Sequence, residues 1–213
     1  MPRRLVIFDR TQTRWPVGLT TAWSAGVRLY RGLGRIDAAH GAATWAEALD
    51  WALGQDDTVA ELQFWGHGNW GVARFDRDGL DASALAPGHP LHGRLVALRE
   101  RLADDALLWL RCCEAFGARR GIAFAERLAD FFGARVAGHT FVIGFYQSGL
   151  RGLHPGVRAD WAPDEGLAAG SPDDPTRARG SSPFAPRTVT CLHGSVPEGW
   201  LTGAGAAPRG RPA

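Results

Sequence analysis

The sequence predicts an α/β protein built on a mostly parallel sheet with helices on both faces. Two observations carry this expectation. Short apolar runs, LVIF at residues 5–8, VAELQFW at 59–65 and ALLWL at 106–110, have the length and continuity of strands covered on both sides. Segments of helical period lie between them through residue 145, and strands that alternate with helices fold into parallel sheets with right-handed crossovers. At 213 residues and 45% hydrophobic content, the chain is long enough to bury one such core without disulfides or metal.

Residues 5–8 form the first strand. A helix-length segment follows over 20–31, then a weaker strand candidate over 35–39. Thr44 with Glu47 three residues later makes a capping box ahead of Trp45, Ala48, Leu49, Ala52 and Leu53, and so predicts a helix ending near Gly54. In the strand from Val59 to Trp65, alternation sets Leu62 and Phe64 on one face and Glu61, Gln63 and Trp65 on the other. The Gly-rich turn GHGNWG at 66–71 leads into a hairpin return over 72–75, closed by a DRDG turn at 76–79.

Leu91, Leu95, Leu98 and Leu102 then recur at helical spacing behind Pro90, which a first helical turn tolerates. This is the crossover helix that leads to the strand at 106–110, the most apolar run and hence the expected sheet centre. Ile122, Ala125, Leu128, Ala129 and Phe132 trace the buried face of another helix, stopped at Gly133 by a left-handed cap. Two more strands are expected at 134–138 and 141–145. From Gln147 onward Gly and Pro become frequent and periodicity fades. Residues 1–146 are therefore read as the α/β core and 147–202 as an irregular, loop-rich C-terminal wrap with one strand near 188–192. Residues 203–213 have the composition of a flexible tail.

Composition excludes several function classes. All 24 basic residues are arginine, the formal charge is +2, and no basic stripe accompanies the aromatics, so no nucleic-acid partner is expected. No window reaches the apolar length of a membrane span and the start carries no leader pattern, which predicts no membrane association and a cytoplasmic address. Oligomeric state leaves no signal in the sequence. Three cysteines, two of them adjacent, make no disulfide framework; such thiols are inert, metal-binding or catalytic. A zinc site would combine Cys112, Cys113 and Cys191 with His193 or His67, but adjacent cysteines are not the usual two-residue-spaced ligand pair. No metal and no cofactor are expected.

Two of the apolar strands end in chemically competent side chains, His67 after the first and Cys113 after the second. Open α/β sheets place their sites beyond the carboxyl ends of strands. A crossover between parallel neighbours would bring the two turns together across the 46 positions that separate them.

LQFWGHG at 62–68 and LLWLRCC at 107–113 resemble the caspase-like cysteine peptidase clan, which includes caspases, gingipains, clostripain, legumain and separase. The shared pattern is apolar strand, His-Gly, crossover, apolar strand, small residue, Cys. In caspases the histidine precedes the cysteine by about 50 positions. Residues 112–140 are also similar to an uncharacterised bacterial domain of that clan. The resemblance implies a caspase-like three-layer αβα fold and a cysteine-dependent hydrolase, a peptidase acting on a peptide or protein substrate through an acyl-enzyme. On it, Cys113 is the nucleophile, His67 the acid/base, and the backbone N–H groups of Gly68 and Cys113 the oxyanion donors. Cys112 takes the place of the small residue and is the alternative nucleophile. Trp65, Asn69, Trp70, Glu114, His139 and Tyr146 are the expected pocket residues. The caspase pentapeptide Gln-Ala-Cys-x-Gly is replaced by Cys112-Cys113-Glu114-Ala115, a departure that bears on aspartate specificity. The second expectation is a catalytically inactive scaffold of the same fold that binds a partner protein.

Overall fold

The computed structural model describes residues 1–13 and 18–203. The chain begins with β1 (Arg3–Asp9), α1 (Leu19–Gly32), β2 (Ala38–Ala42), α2 (Trp45–Leu53) and β3 (Val59–Trp65). A small meander follows, β4 (His67–Asn69), β5 (Val72–Phe75) and β6 (Asp78–Leu80), before α3 (His92–Arg101) and β7 (Leu102–Arg111). After α4 (Ala118–Phe132) and β8 (Arg135–His139) come short strands and one 3-10 turn at Glu198–Trp200. The strands are β9 (Tyr146–Gln147), β10 (Leu150–Leu153), β11 (Leu167–Gly170), β12 (Pro175–Ala178), β13 (Val189–Thr190) and β14 (Leu201–Thr202).

Seven of these strands form the main sheet, in the order β14-β10-β8-β7-β3-β1-β2. The pairings from β2 through β8 are all parallel, and β10 runs antiparallel to β8. The most apolar strand, β7, occupies the middle of the sheet as its composition requires.

Alternation along each strand divides the core in two. Leu5, Ile7, Leu62, Phe64, Leu108, Leu110 and Val136 face the apolar stripes of α2, α3 and α4. On this side Trp45, Phe64 and Phe75 pack ring on ring, with centroids 4.6–5.0 Å apart, which fixes the meander against α2. The opposite face is shared. Val27 and Tyr30 of α1 cover Val6 and Trp65, while Leu107, Trp109, Ala137 and Leu150 pack against Val189, Val196 and Trp200 of the C-terminal segment. Helical cover of that face, among the described residues, is therefore limited to α1. No described helix is long and apolar enough to cross a membrane.

The expected caps are in place. The Thr44 hydroxyl accepts the Glu47 N–H at 3.2 Å, the Glu47 carboxylate takes the Ala43 N–H at 2.9 Å, and Gly133 closes α4 at φ 58°.

Three expectations need correction. The sheet does not end near residue 146, because β10 and β14 extend it from within the segment read as loop. A Cβ on Gly152 would lie 2.4 Å from Leu201 Cδ2, so the bare backbone there is what lets β14 close on β10. The strand expected at 141–145 does not form. Its polar groups are spent between loops instead: Phe141 C=O accepts from Glu114 N–H, and Val142 bonds Arg179 and Ser181. The strand foreseen at 35–39 lies at Ala38–Ala42, displaced by the turn that ends α1. The tail expected over 203–213 falls, beyond Gly203, outside the described residues.

Thr44→Ala removes the side-chain acceptor that caps α2 and is expected to lower unfolding stability by about 1 kcal/mol, with Thr44→Ser close to wild type, as read by urea denaturation.

Candidate functional site

The carboxyl ends of β3 and β7 stand level, with Trp65 opposite Arg111 in the parallel ladder. Each chain turns immediately afterwards, and the two turns meet. A Cβ built on Gly68 would fall 2.2 Å from the Cys113 carbonyl oxygen and 2.8 Å from Cys112 Sγ, so only glycine permits this approach. The meander holds the turn in place: Gly71 N–H donates to Ala115 C=O at 3.0 Å, and Trp70 packs its ring against Gly117. The two-residue turn at Trp70-Gly71 makes Asn69–Val72 the directly bonded pair of the β4–β5 ladder. Gly68, paired with Ala73, then turns its N–H away from that ladder.

His67 is half-buried at the start of β4, its ring edge-on to Trp23 with centroids 6.2 Å apart. Cys113 is also half-buried. Burial pushes its thiol up, partly offset by a hydrogen bond from the Ile143 N–H, and the Glu114 charge adds to the upward push. Cys112 differs: it is fully buried in the apolar cluster beneath the helices, and that burial pushes its thiol well above the ordinary range.

Glu114 follows Cys113 with φ 36°, a left-handed conformation that is uncommon for a non-glycine residue. Its Oε2 is buried without a hydrogen-bond partner. Burial raises the carboxyl to about 7, with Arg74 pulling the other way. Arg74, whose charge acts on Glu114, stands opposite His67 in the hairpin. Asn69 accepts the Trp70 N–H at 2.8 Å, and Tyr146 is exposed at the far end of the loop that carries Ile143.

Two expected pocket residues are core instead. Trp65 is buried, with its indole N–H on Gln63 Oε1 at 2.8 Å and its ring edge against Tyr30. His139 is wholly buried and held to the Ser148 carbonyl at 3.3 Å. Burial and the nearby Arg111 charge drive it down to about 3, so it stays neutral. Both project from the sheet face beneath α1 and the C-terminal segment. The zinc arrangement fails on the same geometry, since Cys112 lies under the helices while Cys191 and His193 cover the other face. Among the described residues no group of three or more His, Cys, Asp or Glu side chains is placed to hold a metal ion.

The residue that the sequence reading passed over is Arg111. It ends an otherwise apolar run, LLWLR, and the only signal for it was a charge where a strand facing two layers should have none.

Gly68→Ala is expected to cost about 1–3 kcal/mol by overpacking and to change the rate of Cys113 alkylation, read by denaturation and peptide mass spectrometry. Glu114 gives a pH test. A carboxyl raised from 4.5 to about 7 on folding makes the folded state hold more protons across that window, so stability falls as pH rises through it. Glu114→Gln lacks this loss. The variant should gain on wild type between pH 4.5 and about 7 and keep a constant advantage above, in urea denaturation across pH.

Set against known proteins, the chain matches no family model and no curated protein sequence.

Proposed function

We propose that the chain is a cysteine-dependent hydrolase, a peptidase of caspase-like type, with Cys113 as nucleophile and His67 as acid/base. The observation that carries this reading is the backbone contact between the His67-Gly68 turn and the Cys112-Cys113 turn, at the level ends of two neighbouring parallel strands. Burial raises the Cys113 thiol, so a base that takes its proton is needed for attack.

In that mechanism the Cys113 sulfur adds to the scissile carbonyl carbon as its proton passes to His67. The oxyanion faces the N–H groups of Gly68 and Cys113. Collapse expels the amine, which takes the proton from His67, and leaves a thioester. Water activated by His67 then releases the acid and restores the thiol. Cys112, packed in the core, supports the turn and takes no part.

A second reading has its own support. A thiol raised rather than lowered, beside a histidine that packs on Trp23, suits a scaffold that keeps the fold and binds a partner without catalysis.

Labelling with a peptide acyloxymethyl ketone separates the two. Wild type and Cys112→Ala should label, Cys113→Ala should not, and His67→Ala should label about 100-fold more slowly. Loss of labelling in Cys112→Ala alone would move the nucleophile to Cys112. Folded protein that labels in no form across a panel of peptide sequences would favour the scaffold.

A further inference from the structure

Arg111 is 4% exposed, and among the described residues no carboxylate lies within ion-pairing distance of it. Its direct partners are neutral, and the carboxylate whose charge reaches it, Glu61, stands one amide away: Nη1 donates to Gln63 Oε1 at 3.3 Å, and Gln63 Nε2 donates to Glu61 Oε1 at 2.7 Å. Nε and Nη2 donate to Gln147 Oε1 at 3.1 and 3.0 Å, Nη1 donates to the Tyr30 hydroxyl at 2.8 Å, and the Trp109 ring centroid is 4.2 Å away. Buried cations ordinarily have an anionic partner.

The remaining contacts show what occupies the partner's place. Nη2 donates to the Cys191 carbonyl at 2.9 Å and Nη1 to the His193 carbonyl at 3.0 Å. One edge of the guanidinium thus meets two oxygens of a single chain segment, the arrangement in which arginine takes the two oxygens of a carboxylate. The carbonyl between them, Leu192 C=O, accepts from Arg35. Two guanidinium groups therefore hold three successive peptide oxygens.

This occupant fits imperfectly. The Tyr30 hydroxyl lies 2.6 Å from both the Cys191 and His193 oxygens. A phenol has one proton, so one of those contacts is oxygen against oxygen with no hydrogen between them. The segment is held by side chains more than by a ladder: β13 pairs with β9 over only two residues, the Cys191 N–H donates to Phe145 C=O at 2.7 Å, Leu192 and His193 are exposed, and a cleft of about 450 Å³ opens beside it against Arg35.

We propose that residues 190–194 form a displaceable strap whose carbonyls stand in a carboxylate-binding site made by Arg111, Arg35 and Tyr30, and that the ligand is the carboxylate of an acidic peptide. A carboxylate supplies the same two oxygens with the charge the carbonyls lack. The site is independent of the hydrolase reading, because it needs neither His67 nor Cys113.

Cys191 on the strap reports its opening. Iodoacetamide labelling of Cys191 in the wild-type protein, followed by peptide mass spectrometry, should accelerate saturably by about fivefold or more with acetyl-glutamate amide or acetyl-glycine. Acceleration by the first alone assigns a side-chain carboxylate, and by the second alone a chain terminus. Inorganic phosphate at matched ionic strength should leave the rate unchanged. Arg111→Lys keeps the charge but loses the two-oxygen edge, and should abolish the carboxylate effect while retaining the circular dichroism spectrum. The proposal is overturned by a rate that neither carboxylate alters, by phosphate acting equally, or by a folded Arg111→Lys protein that keeps the full response. If Arg111→Lys does not fold, the wild-type titration decides alone.

Discussion

The parallel pairing of β3 with β7 is the constraint on which the rest of the molecule depends. Its register sets Phe64 beside Leu110 and Trp65 beside Arg111, so both strands stop at the same level of the sheet. A slip of one residue would carry the buried arginine and its neighbouring tryptophan into the apolar side and turn the leucines that pack on α2, α3 and α4 into the polar groups of the other. The apolar pattern thus enforces the level meeting of two turns, and the glycine at the meeting point makes their contact close. The strand ends bring a histidine, a thiol and an unpaired carboxyl into one neighbourhood without any of them stabilising the fold by itself.

The two sides of the sheet do different work. Beneath the three helices the core is aromatic and aliphatic, sealed by the Trp45, Phe64 and Phe75 rings, and Cys112 belongs to it as a small apolar group. On the other side a guanidinium, a phenol, two amides and a neutral imidazole are buried together. Low dielectric strengthens each hydrogen bond of such a network and makes each unmet group costly. Two are unmet there, Trp109 Nε1 and His139 Nε2. One side of the sheet therefore supplies stability and the other supplies polar specificity.

Much of this was legible in the sequence because its signals are local. A capping box, a left-handed glycine and apolar runs of strand length placed α2, α4, β3 and β7, and the central position of β7 followed from its apolarity. The His67 and Cys113 turns were brought together by the same logic. What escaped was set by distant partners. LRGL at β10 has too little alternation to read as a strand, and it becomes one only because β8 offers an antiparallel edge and Gly152 admits Leu201. The run at 141–145 looked like a strand, yet its backbone groups go to Glu114, Arg179 and Ser181, which leaves Val142 and Phe145 exposed. Trp65 was read as a pocket residue because it flanks the His67 turn, and His139 because it ends a strand beside the site. Strand parity, decided by the whole sheet, sends both to the interior.

The reach of Arg111 across the chain has a consequence for synthesis. Most of what covers the helical side has been made once β8 is complete, with Leu153 and Trp161 soon after, but two of the oxygens that meet this guanidinium lie 80 and 82 residues beyond it. A nascent chain can dry one side of its sheet early and must keep the other wet, with a hydrated arginine between Trp65 and Trp109, until the last segment emerges. That half-finished surface, cationic at its centre and aromatic at its rim, is open to wrong contacts until the closing segment arrives.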